Sequence, residues 1–376
     1  MASGPIVVYG ATGFTGTLVT HELRRRGLSC VLAGRSADKL ARLADEVRGA
    51  GGDGAAEVAT RAVALDDRDG LRHLLGDAAV VINCAGPFIR YGEPVVRAAV
   101  ETGTHYVDTT GEQPYMQLLQ ERYDDPARAA GVAVVPAMGF DYVPGDLLAH
   151  VTAQGLEPLR ELVLAYAPRS VQPTRGTLRS ALGMLAAKGV LYEDGDWRPA
   201  PPIPERRRFP FPEPVGMQPV MRYPSGEVLT VPRHVRTRKL TSLITVETFA
   251  GTPKAAPFVP LTAPALALAL RSPLAGLLEP LLARYPEGPS EASRAKVRFT
   301  IVALAHGEDG RTRRGVATGG DVYGLTAATA VHGAALMAQD GYDRGGVLSP
   351  ASAYDASAFL DALVAHGVRY EIEPAP

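Results

Sequence analysis

Over the first 145 residues the chain switches repeatedly between two hydrophobic patterns. Short, mostly apolar runs occur at Ile6–Tyr9, Cys30–Ala33, Glu57–Ala64, Ala79–Cys84, His105–Val107 and Val132–Pro136. Between them lie stretches with helical spacing: Thr15–Arg26, a segment from Ser36 through Lys39, Leu40, Leu43 and Val47, then Asp69–Leu75, Glu93–Thr102 and Tyr115–Arg122. Gly27 closes the first of these and Ser36 can cap the second. Strand and helix in strict alternation predict a parallel sheet covered by helices on both faces. The near-continuous apolar character of Ala79–Cys84 fits a strand buried on both sides.

The pattern changes after Gly145. Leu162–Tyr166, Val235–Thr237, Leu243–Glu247 and Val297–Ala305 read as strands. Arg311–Ala317 can pair with the last of these across a turn at Glu308–Asp309–Gly310. Leu178–Ala187, Leu325–Gln339 and Ala356–His366 read as helices, and Trp197–Pro219, rich in proline and arginine, reads as an exposed loop. The expected class is α/β: an N-terminal Rossmann domain with a doubly wound parallel sheet over residues 1–145, then a mixed α+β substrate domain over 146–318. Residues 319–376 form a C-terminal helical segment expected to return to the first domain. The apolar stretch Ala255–Leu282 carries five prolines together with Arg271 and Glu279. It is therefore read as a helical cap, with lipid or hydrophobic-substrate contact as the alternative, and not as a membrane span.

Composition narrows the function. Net charge is −1, so no strong field draws the protein to nucleic acid or an anionic membrane. The runs Arg24–Arg26 and Arg206–Arg208 read as solvated faces. The two cysteines, Cys30 and Cys84, lie in apolar strands and fit neither a disulfide framework nor a metal site. The N-terminus enters a strand with no signal-peptide core, which makes a cytoplasmic location the expectation. A homo-oligomer is the expected assembly.

The chemistry begins at Gly10-Ala11-Thr12-Gly13-Phe14-Thr15-Gly16, a G-x-x-G-x-x-G turn between a strand and a helix. Gly10 permits the tight turn, Gly13 lets the backbone approach a pyrophosphate, and Gly16 lets helix and strand pack closely. Thr12, Phe14 and Thr15 belong to the same cradle, where free N–H groups and the helix dipole hold an anion. The second strand ends Ala33-Gly34-Arg35-Ser36 and has no acid for a ribose hydroxyl. Arg35 can pair with a 2′-phosphate, with Ser36 and Lys39 beside it, so NADP(H) is expected over NAD(H). Asp66 stands where an adenine amino group can be bound, and Ala85-Gly86-Pro87 should pass the nicotinamide ribose.

Further strings carry a resemblance. They are Asn83-Cys84-Ala85-Gly86-Pro87-Phe88, Arg90-Tyr91-Gly92-Glu93-Pro94, Gly103-Thr104-His105-Tyr106-Val107-Asp108, Thr110-Gly111-Glu112, Pro136-Ala137-Met138-Gly139-Phe140-Asp141 and Pro144-Gly145-Asp146-Leu147. Later come Arg175-Gly176-Thr177-Leu178, Glu287-Gly288-Pro289-Ser290, Gly319-Gly320-Asp321 and Gly345-Gly346-Val347-Leu348-Ser349-Pro350. Together they resemble the saccharopine dehydrogenase-like oxidoreductases, and especially their trans-acting enoyl reductase branch. The resemblance implies NADPH-dependent reduction. Tyr142 stands where the family commonly has Ser, Met138 where Cys is frequent, and Asp124-Asp125 where Tyr-His is common.

Hydride transfer needs an acceptor carbon held near the nicotinamide and a group that polarises or protonates the acceptor. Tyr91, Asp141 and Tyr142 are the candidates, with His332 as a fourth that sits inside a predicted helix. The reading is reduction of an activated C=C in a small or carrier-bound acyl substrate. The alternatives are saccharopine-type C=N chemistry and a non-catalytic dinucleotide-binding module associated with lipid or serving as a scaffold.

Overall fold

The computed structural model describes residues 4–49, 57–187, 189–201, 204–250 and 282–373. The apolar cap expected at 255–282 lies outside the described residues except at its last position. The chain divides into two compact units. The first comprises Met1–Thr110, Tyr115–Phe140 and Tyr323–Leu348, and the second Gly111–Pro114, Asp141–Val322 and Ser349–Pro376.

In the first unit the strands are β1 (Ile6–Tyr9), β2 (Cys30–Gly34), β3 (Val58–Ala62), β4 (Val80–Asn83), β5 (His105–Asp108) and β6 (Ala133–Val135). The helices are α1 (Phe14–Arg25), α2 (Ala37–Gly49), α3 (Arg68–Leu75), α4 (Glu93–Thr102) and α5 (Gln113–Ala129). Gln113 and Pro114, at the start of α5, count with the second unit. The sheet is parallel and runs β3-β2-β1-β4-β5-β6, with a seventh strand on its far edge supplied by Gly346–Val347. Strand order therefore reverses between β1 and β4, the switch point where a doubly wound sheet opens a crevice at its carboxyl edge. β1 and β4 are buried at every position, as strands covered on both faces must be, and the one polar side chain among them that is not aromatic, Asn83, is hydrogen-bonded.

The second unit is built on a nine-stranded mixed sheet. Its strands are β7 (Leu159–Arg169), β8 (Val190–Glu193), β9 (Asp196–Pro199), β10 (Arg206–Pro210), β11 (Met217–Arg222), β12 (Leu240–Thr245), β13 (Arg298–Gly307), β14 (Thr312–Gly320) and, after β15 (Gly346–Val347) of the first sheet, β16 (Arg369–Ile372). The expected hairpin is present: β13 and β14 pair antiparallel from Arg298↔Gly320 to His306↔Thr312. Helix α6 (Val143–Ala153) is buried along almost its whole length, its polar Asp146 and Thr152 included. Helices α7 (Arg175–Ala186), α8 (Val322–Met337) and α9 (Ala356–Val364) follow. From Tyr323 onward α8 counts with the first unit.

Two expectations are corrected. Trp197–Pro219 is not a loop, because β10, most of β9 and the first half of β11 lie in it. Its prolines misled: β10 is the sheet edge, where a missing N–H costs no ladder bond, and Phe209 and Phe211 anchor the segment in a core with Val163, Ala165 and Leu243. Val235–Thr237 is not a strand. A short 3-10 turn at Val231–Arg233 precedes it, and only Thr237 bridges, to Leu159.

Candidate functional site

The phosphate turn is built by exclusion of side chains. Gly10 has φ +79, and a Cβ there would lie 2.9 Å from the backbone N of Ala85. A Cβ on Gly16 would lie 2.3 Å from the Gly10 carbonyl oxygen. The glycines thus seat α1 against β1 and bring the Ala85-Gly86-Pro87 loop alongside the turn. Gly13 is the N-cap of α1 and no side chain caps it, so the first-turn N–H groups, among them those of Phe14, Thr15 and Gly16, are left for an anion. Thr12 is half-buried in the turn, and the ring of Phe14 stands edge-on to Tyr323 at 5.4 Å.

At the end of β2, Arg35 and Lys39 are exposed and Ser36 is half-buried. Arg35 and Asp66 both act on the Tyr9 hydroxyl, which burial first and Asp66 second push up to about 12 while Arg35 opposes them. That hydroxyl donates to the Val63 carbonyl at 3.0 Å. The three side chains therefore share the carboxyl edge of β1, β2 and β3. Capping of α3 falls to Asp67, whose carboxylate accepts the Gly70 N–H at 2.9 Å. Asp66 is exposed and has no part in that cap.

Beneath the loops after β4, β5 and β6 lies a polar network that sequence reasoning missed. Asn83, Tyr106, Asp108 and Tyr115 are all fully buried. Asn83 accepts the Ala85 N–H at 3.0 Å and donates to the Tyr106 hydroxyl at 3.1 Å. Tyr106 donates to Asp108 at 2.9 Å and meets the Tyr115 hydroxyl at 3.0 Å. The other Asp108 oxygen accepts the N–H of Thr110 and of Ala137, each at 2.9 Å. One carboxylate thus ties the exits of two strands. The only signal in the sequence was an acid at the end of an apolar strand. Cys84 is half-buried, and burial followed by the charge of Asp108 pushes its thiol up to about 12, so it stays a thiol at neutral pH.

The candidates for polarising the acceptor separate. Tyr91 belongs to the first unit, at the end of a single helical turn, Phe88–Tyr91, and is 43% exposed. His332 meets Arg26, just past the carboxyl end of α1, at 3.3 Å. Twelve residues of helix, about 18 Å, separate that end from the phosphate turn, which removes His332 from the chemistry.

Asp141 and Tyr142 belong to the second unit, where an acidic cluster surrounds them. The Tyr142 hydroxyl donates to the Gly111 carbonyl at 2.9 Å. Burial raises it well above the ordinary range, and Asp141, Glu227 and Glu112 raise it further. Asp141 is exposed as a residue, yet protein packed about its carboxyl raises its pKa, and a Cβ on Gly111 would lie 3.2 Å from its Oδ2. Glu112 accepts the Ser180 hydroxyl at 2.7 Å. Glu227 is fully buried and accepts the Tyr166 hydroxyl. No motif in the sequence marked Glu227 or Tyr166, since a lone Glu after Ser-Gly looks like any surface acid.

Asp146, also in the second unit, is a structural hub. It accepts Thr230 Oγ1 at 2.6 Å, His234 Nε2 at 3.1 Å and the Ala351 N–H at 2.9 Å. Burial opposes its charge, but His234 and these donors together hold its pKa below the usual value.

Fold and phosphate turn together define a dinucleotide-binding protein that takes NADP(H). Residues 6–135 match the saccharopine dehydrogenase NADP binding domain. A saccharopine dehydrogenase-like oxidoreductase of Bos taurus is 30% identical over 226 residues, 55% of this chain and 53% of that protein. A trans-acting enoyl reductase of Mycobacterium ulcerans is 35% identical over 147 residues, 39% of this chain and 34% of that protein. The apo, histidine-tagged saccharopine dehydrogenase (L-Glu forming) of Saccharomyces cerevisiae has the same fold, with TM-score 0.59 at 15% identity over 99% of this chain and 100% of that one. The chain is similar to saccharopine dehydrogenase-like oxidoreductases over its nucleotide-binding domain and over about half of its length. It spans about half or less of the length of the curated relatives it matches. Among the described residues no helix is long and apolar enough to cross a membrane.

Proposed function

We propose that the protein transfers a hydride from NADPH to the carbon of an imine in a small organic substrate. The cofactor is held by Gly10, Thr12, Gly13, Phe14, Thr15 and Gly16 on its diphosphate, by Arg35, Ser36 and Lys39 on its 2′-phosphate, by Asp66 at the adenine, and by Ala85, Gly86 and Pro87 along the nicotinamide ribose. When bound, it supplies the hydride.

The observation that supports C=N over C=C is the acidic surroundings of Tyr142: Asp141 and Glu112 lie near its hydroxyl, beside Glu227, an acid whose pKa burial raises to about 8. An iminium is cationic as it accepts hydride and is stabilised by carboxylates. Reduction of an unsaturated thioester builds negative charge on the acyl oxygen, which the same carboxylates would oppose. Tyr142 and Asp141 in the second unit, and exposed Tyr91 in the first, are the candidates for donating the proton to nitrogen and for steadying the cation.

The similarity to a trans-acting enoyl reductase favours a second reading, hydride transfer to an activated C=C on a carrier-bound acyl chain. One experiment separates the two. NADPH consumption is followed with 1-pyrroline and, in parallel, with crotonyl-N-acetylcysteamine. Turnover of 1-pyrroline alone supports the imine reading. Turnover of the thioester alone replaces it with the second. Tight NADPH binding without oxidation by either supports a non-catalytic binding module.

A further inference from the structure

Asp146, His234 and His150 form a hydrogen-bonded chain that lies wholly within the second unit. His234 Nε2 is 3.1 Å from Asp146 Oδ2, and His234 Nδ1 is 3.1 Å from His150 Nδ1. Asp146 is fully buried, and the His234 side chain is 6% exposed. Asp146 is a carboxylate, since Thr230 Oγ1 and the Ala351 N–H also donate to it and its pKa is held below the usual value. A carboxylate only accepts, so His234 Nε2 carries a hydrogen and donates.

The contact between the two rings then fixes a proton count. Two imidazole nitrogens at this distance form a hydrogen bond only when one bears a hydrogen and the other a lone pair. With both rings neutral, His234 has its single hydrogen on Nε2. Its Nδ1 is therefore bare, and His150 must donate from Nδ1. One added proton can sit on His150 Nε2 and leave the bond whole. A second sets N–H against N–H and puts two like charges in contact.

The bond joins segments far apart in sequence. His150 stands on α6, and His234 closes the helical turn Glu227–Thr230 and the 3-10 turn Val231–Arg233. Thr230 and His234 both fasten this segment to Asp146 of α6. Buried Glu227 stands at its other end.

We propose that His150 and His234 form an acid-sensitive latch, which holds residues 227–234 against α6 until both rings are charged and then lets go. The latch stands apart from the imine reading.

The charged and titratable groups about His150 are His234, Asp146 from its own helix, Glu157 between α6 and β7, and Asp355 at the N-cap of α9. Burial first, then His234, lowers the His150 pKa from its ordinary 6.5, and the three acids oppose them. The folded state thus binds this proton less tightly than the unfolded chain. The contribution to stability is present above 6.5 and is lost as pH falls through the lowered folded value.

The test uses the full chain labelled with nitrogen-15, and the variant His150→Gln, which keeps a side-chain donor but cannot be charged. At pH 8.5, long-range proton–nitrogen spectra of the wild type should show His150 protonated on Nδ1 and bare on Nε2, and His234 the reverse. Hydrogen exchange, corrected for its intrinsic pH dependence, reads the fastening. The N–H of Thr230 bonds to the Gly226 carbonyl, and those of His234 and Val235 bond to the Val231 carbonyl. Their protection should fall about tenfold between pH 7 and pH 5 in the wild type, the equivalent of about one pKa unit. It should stay level in His150→Gln. The tautomer spectra need only the wild type and keep the test open should the variant fold poorly. Hydrogens on Nε2 of both neutral rings, or protection lost equally in the two proteins, would overturn the latch. Neither readout involves NADPH or 1-pyrroline, so a failure of the imine reading leaves the result standing.

Discussion

The carboxylate of Asp108 accepts the backbone N–H of Ala137 at 2.9 Å, and Ala137 is held at φ 61, in the left-handed region that favours glycine. The bond holds the strained residue where β6 ends and turns towards Met138 and Gly139. Met138 is tied as well, its N–H donating to the Asp108 carbonyl at 2.7 Å. A non-glycine residue in this region costs about 1–2 kcal/mol, which the surrounding bonds must outweigh. Asp108→Ala strips a buried acceptor from Tyr106, Thr110 and Ala137 and should lower unfolding stability by about 2–4 kcal/mol in urea titration. Ala137→Gly should raise it by about 0.5–1 kcal/mol. A destabilised Ala137→Gly would show that this position stores no strain.

The Arg35 side chain is exposed at the end of β2, and no acid stands at that position to take a ribose hydroxyl. Arg35→Ala should weaken NADPH binding about 10- to 100-fold, the equivalent of about 1.5–3 kcal/mol for charge-assisted hydrogen bonds. NADH binding should hardly change. Calorimetry with both nucleotides measures the difference. Equal losses for the two would remove Arg35 from the 2′-phosphate.

Gly16→Ala puts a methyl group 2.3 Å from the Gly10 carbonyl oxygen and 2.8 Å from Ala11 Cα, both backbone atoms. They cannot yield without shifting α1 away from β1. NADPH binding should be lost, and the melting temperature should fall by several degrees. Gly27→Ala is the control. Gly27 has φ +67 with open space about it, so it should cost only backbone strain and leave NADPH affinity intact. Nucleotide-dependent thermal shifts on both variants decide this.

The pH dependence of stability carries a sign set by Glu227. Its pKa rises from 4.5 unfolded to about 8 folded. The folded state therefore binds the proton more tightly, and the contribution is fully present below 4.5 and lost as pH climbs through about 8. Glu227→Gln stays neutral throughout. Its melting temperature relative to wild type should rise between pH 5 and pH 8 and then level off. Asp146, lowered on folding, works in the opposite direction at acid pH but is common to both proteins and cancels in the difference. A flat difference across this range would mean that Glu227 ionises normally.

Local pattern determined the first sheet apart from its edge strand Gly346–Val347. All six of its expected strands and the helices between them were legible because strand and helix periods alternate cleanly and glycine marks the turns. The glycine turn was legible for a related reason: Gly10, Gly13 and Gly16 shape the backbone within one short stretch of sequence. The hairpin of β13 and β14 was also local. The β10 and β11 strands were hidden because proline in the edge strand and its neighbour reads as a loop until the pairing is known. Asp108 was hidden because its role depends on Ala137, 29 residues away. Glu227 was hidden because a carboxyl becomes a neutral acid only when residues distant in sequence, here Gly145 and Tyr166, enclose it. Sequence by itself determined the nucleotide-binding domain, since its glycine turn and alternating strands and helices are local patterns. Only the tertiary structure decided which acids are buried and which hydroxyls they meet, because burial and proton affinity belong to the packed cluster and to no single stretch of chain.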